Sequence, residues 1–97
     1  MARIILAPQV QNDIDRIFDF LFEHATDSAA ERVASIISAI DILQTSARIG
    51  RAISGGKREL VISTGASGYV ALYQYVPDLD TVFVLAIRSQ REAGYSG

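Results

Sequence analysis

Apolar residues recur along this 97-residue chain with two periods, and the change of period divides it. From residue 10 they return at helical spacing, as Val10, Ile14, Ile17, Phe18, Leu21 and Ala25, while Asp13, Asp15, Arg16, Asp19 and Glu23 fall elsewhere. That pattern predicts an amphipathic helix to about residue 24. A second stripe of Ala29, Val33, Ile36, Ile37, Ile40 and Leu43 predicts another helix ending near 47, with Gly50 as its stop. Thr26-Asp27-Ser28 breaks the period between them, and Ser28 with Glu31 three residues on has capping-box spacing. So short a break folds the two helices into an antiparallel hairpin. Phe20 and Ile42 lie off both stripes.

On either side of the hairpin the pattern becomes that of strands. Residues 3–6, Arg-Ile-Ile-Leu, form a short apolar run that stops at Pro8, which lacks a ladder donor and suits the first turn of a helix. Residues 48–56 carry three glycines and no sustained period, and read as a loop. Three runs rich in β-branched and aromatic residues follow, at about 57–63, 69–76 and 81–88. Hairpin-length connections join them, the second being Pro77-Asp78-Leu79-Asp80, where Pro and then Asp favour a type I turn. The expected fold is therefore α+β, in the order β-α-α-β-β-β, with helices on one face of a sheet whose last three strands are antiparallel. The N-terminal strand joins that sheet, because its apolar edge would otherwise be exposed. Length and the lack of repeats make residues 1–97 a single domain.

Pairing Val76 with Thr81 sorts the faces. Val70, Leu72, Val76, Phe83, Leu85 and Ile87 share one face, which we assign to the helices. Tyr69, Ala71, Tyr73 and Tyr75 share the other with Val82, Val84, Ala86 and Arg88, placing Tyr69 across from Arg88 and Arg58 near Tyr73. A one-residue bulge would exchange these assignments. Three tyrosines with an arginine opposite make a large amphipathic surface suited to a partner.

Composition narrows the function. The net charge is −2 and the sequence pI about 5.2, so the sum of charges gives no broad attraction to nucleic acid. Eight of nine cations are arginine, which favours bidentate recognition of carboxylate or phosphate. Without cysteine there are no disulfides or thiolate metal sites. No metal-ligand spacing, phosphate loop, dinucleotide fingerprint or nucleophile triad appears, and we expect no metal and no cofactor. No signal peptide or apolar run of membrane-spanning length is present, so the expected location is the cytoplasm.

The order of elements, with Arg58-Glu59-Leu60-Val61 opening one strand, Gly68-Tyr69-Val70-Ala71-Leu72-Tyr73 in the next and Val84-Leu85-Ala86-Ile87-Arg88-Ser89-Gln90-Arg91-Glu92-Ala93-Gly94-Tyr95 at the end, resembles the RelE/ParE superfamily of bacterial toxins. The resemblance implies the toxin of a type II toxin–antitoxin module, of the kind that stabilises plasmids, neutralised by a cognate antitoxin whose C-terminal segment wraps it. RelE-like members cleave mRNA on the ribosome with basic residues on the sheet and a tyrosine near the C-terminus. Carried over here, that pattern falls on Lys57, Arg58, Arg88 and Tyr95, of which Arg58, Arg88 and Tyr95 would be catalytic. ParE-like members inhibit DNA gyrase and lack that set.

Cleavage by 2′-hydroxyl attack needs a base, an acid and cations on the phosphorane. One lysine and an acidic balance supply cations poorly, and Ser89 stands where many relatives carry a histidine. The expectation is thus the ParE branch: a gyrase-binding inhibitor rather than an enzyme. The alternatives are a ribosome-dependent endoribonuclease or a nontoxic antitoxin-binding member. The residues expected to meet target or antitoxin are Arg58, Tyr69, Tyr73, Tyr75, Arg88, Arg91 and Tyr95.

Overall fold

The period-2 runs form one five-stranded mixed sheet, and the period-3.6 runs form two helices covering one side of it. The structure, a computed structural model, describes residues 1–24, 29–62 and 68–89. Its elements are β1 (Arg3–Leu6), α1 (Pro8–His24), α2 (Ala29–Ile40), β2 (Arg51–Ala52), β3 (Arg58–Val61), β4 (Tyr69–Val76) and β5 (Thr81–Ser89). The sheet order is β1-β5-β4-β3-β2. β1 runs parallel to β5, with Ile4 beside Val82 and Leu6 beside Val84, and the other pairs are antiparallel. The expected helix-on-sheet architecture is the one observed, enlarged by the two-residue edge strand β2, which lies inside the stretch read as a loop.

Pro8 opens α1 as its missing N–H suggests. α2 ends at Ile40, short of the expected 47, and passes into a tighter 3₁₀ turn over Asp41–Gln44 that still buries Leu43. Of the two apolar stripes, Val10, Ile17, Leu21, Ala29, Ile36, Ile40 and Leu43 are buried, whereas Phe18 and Ile37 are exposed. Phe20 and Ile42 are exposed as well. The capping box falls on residue 28, outside the described residues.

The turn between β4 and β5 closes as read. Val76 pairs with Thr81, Pro77–Leu79 make one 3₁₀ turn, and Asp80 takes the left-handed conformation (φ 45°) that Asp tolerates. The Thr81 hydroxyl donates to the Leu79 carbonyl at 2.9 Å and fastens the corner.

The assignment of sheet faces is corrected. Tyr69, Ala71, Tyr73, Val82 and Val84 belong to the core with the helix residues, with Tyr75 partly buried against them, so the tyrosine side of β4 is the side the helices cover. Both faces of these strands are apolar, so alternation separates them without saying which is inside. Small Ala71 and the two valines let the helices approach, and the tyrosines fill the remaining volume. β5 also carries a bulge. Tyr73 faces Val84 but Leu72 faces Ala86, leaving Leu85 as the extra residue. Beyond it the sides exchange, so Ile87 joins the core and Arg88, opposite Val70 and not Tyr69, lies on the side away from the helices.

Candidate functional site

At one end of β4 the polar tip of each tyrosine is matched by the chain around it. Tyr73 is fully buried, and its hydroxyl accepts the Gly50 N–H at 2.8 Å. Gly50 is required there. A Cβ would stand 2.7 Å from both the Tyr73 ring and its oxygen and 2.8 Å from the Glu59 carbonyl. Arg58, paired with Tyr73 across β3 and β4, donates to the Gly50 carbonyl at 2.8 Å and the Arg48 carbonyl at 3.2 Å. Its guanidinium therefore ties loop 48–50 to the sheet. Arg51 pairs with Glu59 across β2 and β3.

Tyr75 lies nearer the surface. The Arg48 guanidinium sits 4.9 Å from its ring centroid, and its hydroxyl donates to Asp80 at 2.8 Å. That hydrogen bond above all, with desolvation and the Asp80 charge, raises the phenol above its ordinary value, while Arg48 pulls the other way. An open cleft lies beside it, bounded by Gln44, Arg48, Tyr75 and Asp80.

Arg88 is placed differently. It is exposed near the far end of β5, on the side of the sheet away from the helices. Arg58 shares its side with Tyr73 and Leu60, so the two arginines stand on opposite faces. The expected single face of Arg58, Tyr69, Tyr73, Tyr75 and Arg88 is corrected accordingly: Tyr69 and Tyr73 are interior, and the bulge turns Arg88 away from both. Arg91 and Tyr95 lie outside the described residues.

The pattern reading passed over Asp13. It is fully buried on α1, where one carboxylate oxygen accepts the Ile87 N–H at 3.0 Å and the other accepts Gln9 at 2.9 Å and Arg16 at 3.2 Å. Its position was a readable signal, since residues 10, 13, 17 and 21 make one continuous helical stripe with an acid in it. Among the described residues no group of three or more His, Cys, Asp or Glu side chains could hold a metal ion.

The sequence model of the family described as "ParE toxin of type II toxin-antitoxin system, parDE" matches residues 4–94. The chain belongs to this ParE toxin family. Within the wider RelE/ParE superfamily it is 32% identical over 92 residues to Toxin RelE3 of Caulobacter vibrioides, covering 95% of this chain and 98% of that one. Its fold is that of the chromosomal ParDE system from P. aeruginosa (TM-score 0.76, 19% identity, 92% of this chain and 96% of the other). It is also that of the E. coli RelBE toxin–antitoxin complex (TM-score 0.61, 14% identity, with the same two shares). In this ParE-family chain, then, the residues quoted for the resemblance do two jobs: Arg58, Tyr69 and Tyr73 build the fold, and Arg88 is presented to solvent. No helix of the described residues is long and apolar enough to cross a membrane.

Proposed function

We propose that this chain is the toxin of a type II toxin–antitoxin pair, that it acts in the cytoplasm by binding DNA gyrase, and that a cognate antitoxin neutralises it. The observation that carries the choice of target is the separation of Arg58 from Arg88 by the thickness of the sheet. Phosphodiester cleavage requires cations, an acid and a base to converge on one phosphate. Arg58 is engaged with backbone carbonyls on the helix side, and Tyr69 and Tyr73 are interior, so none of them joins Arg88 around a common substrate. What remains is a recognition element: Arg88, itself exposed on the side of the sheet away from the helices and continued in sequence by Arg91 and Tyr95, able to meet a carboxylate or a backbone carbonyl of a protein. Gyrase is then inhibited by occupancy and no bond is made or broken.

The test is plasmid supercoiling by purified gyrase. Added chain is expected to abolish it near stoichiometric concentration, and the antitoxin to restore it. Undiminished supercoiling with folded chain in excess would reject the target. The name of the Caulobacter relative favours a second reading, a RelE-like ribonuclease working on the ribosome. A translating extract separates the two, since that reading requires cleaved transcripts and the gyrase reading leaves them intact.

A further inference from the structure

β5 outlasts its neighbour. The last ladder bond from the β1 side is the Ala7 N–H to the Val84 carbonyl at 2.9 Å, after which the chain turns into α1 while β5 continues to Ser89. Beyond Val84 the outward backbone groups of β5 need partners from elsewhere. The Ile87 peptide finds them on α1. Asp13 takes its N–H, and Arg16 makes a long contact of 3.5 Å to its carbonyl while pairing with Asp13. A helix side chain thus replaces the missing strand at the residue before Arg88.

This acceptor fits only one phase of the strand. An uninterrupted ladder continuing from Tyr73 and Val84 would pair Leu72 with Leu85, Val70 with Ile87 and Tyr69 with Arg88. The Ile87 N–H would then turn towards β4 and leave the buried Asp13 carboxylate without it. Arg88 would turn to the helix side, as every side chain does when register slips by one. With Leu85 bulged out, Ile87 faces α1 and Arg88 faces away.

We infer that Asp13 is a positioning residue: by accepting the Ile87 N–H it holds the bulged phase of β5 and so presents Arg88 on the side of the sheet away from the helices. The functional half of this inference rests on the contact role given to Arg88 under Proposed function. The structural half is independent of it.

The experiment has two arms on the full chain. Cross-strand proton contacts by NMR read the phase. Asp13→Ala is expected to move the contact of Arg88 from Val70 to Tyr69 while Val10 and Ile17 on α1 keep their slow amide exchange, and Asp13→Asn, which keeps an acceptor oxygen, is expected to retain the contact with Val70. An Arg88 contact that stays on Val70 in Asp13→Ala would overturn the inference, as would the same shift in both variants. If Asp13→Ala does not fold, the comparison is made between Asp13→Asn and Asp13→Leu. The second arm is a double-mutant cycle on gyrase inhibition. Arg88→Ala is expected to weaken inhibition at least tenfold, and adding Asp13→Ala to it is expected to weaken it no further. Multiplying losses would overturn the coupling to Arg88. If Arg88→Ala alone inhibits normally, the contact role of Arg88 fails and the functional half falls with it, whereas the contact of Arg88 with Val70 or Tyr69 still decides whether Asp13 sets the phase.

Discussion

The two arginines expected to share a surface meet different fates, and the contrast shows what each end of the sheet is for. Arg58 sits beside Tyr73 on the helix side and donates to the carbonyls of Arg48 and Gly50, so its charge holds a loop against the sheet. Arg88 follows a bulge on the other side and is exposed. In both places backbone groups left over where regular pairing stops are satisfied by side chains: Tyr73 and Arg58 do so for loop 48–50, and Asp13 and Arg16 for Ile87. At the first end the arginine is consumed in that task. At the second an aspartate performs it, and the neighbouring arginine is exposed. Residue type alone does not mark a functional cation. What its guanidinium is bonded to does.

That comparison can be broken at either end. The largest effect is expected for Tyr73→Ala, which removes a fully buried ring and the acceptor of Gly50, at a cost of about 3–5 kcal/mol in denaturant unfolding. Gly50→Ala comes next. The 2.7 Å approach of the new Cβ to Tyr73 forces ring and loop apart for about 1–3 kcal/mol, and Arg58 loses its grip on the Gly50 carbonyl as the loop moves. Arg88→Ala is expected to change stability by less than about 0.5 kcal/mol, since the side chain is exposed, so its effect is confined to target binding. A loss comparable to that of Gly50→Ala would mean that Arg88, too, is a fold residue.

The smallest effect is the pH response at Tyr75. Its phenol is raised above the ordinary value chiefly by donating to Asp80, so folding favours the protonated form. That contribution is fully present below the unfolded-state value of about 10 and disappears as pH rises through the higher folded value. Tyr75→Phe should therefore lower stability slightly and evenly across the neutral range and flatten the alkaline fall of the curve, as a thermal-melt series across pH would show.

Much of the fold was legible from the chain. The two helical stripes, the Pro77 turn with Val76 opposite Thr81, the pairing of Arg58 with Tyr73 and the recruitment of the N-terminal strand all follow from periodicity and turn chemistry. The choice of inner face did not follow, because Val70, Leu72 and Phe83 on one side are as apolar as Ala71, Val82 and Val84 on the other. Tyrosine reads as a surface residue until Gly50 is known to meet the hydroxyl of Tyr73. The bulge at Leu85 leaves no mark in composition. Its only advance notice was Asp13, an acid placed in the buried stripe, which makes sense once Ile87 is seen to need an acceptor. The candidate face was misread for these same reasons: Arg88 was expected across from Tyr69 and stands opposite Val70, and Tyr69 and Tyr73 were expected outside and are buried.

The central claim, that the tyrosine side of β4 is interior and Arg88 is turned away from it, is open to one direct measurement. Proton–proton contacts in solution by NMR should connect the Gly50 amide to the Tyr73 ring and the Arg88 side chain to Val70. Contacts between the Arg88 side chain and the Tyr69 ring, with none from Gly50 to Tyr73, would require the uninterrupted ladder and contradict the account.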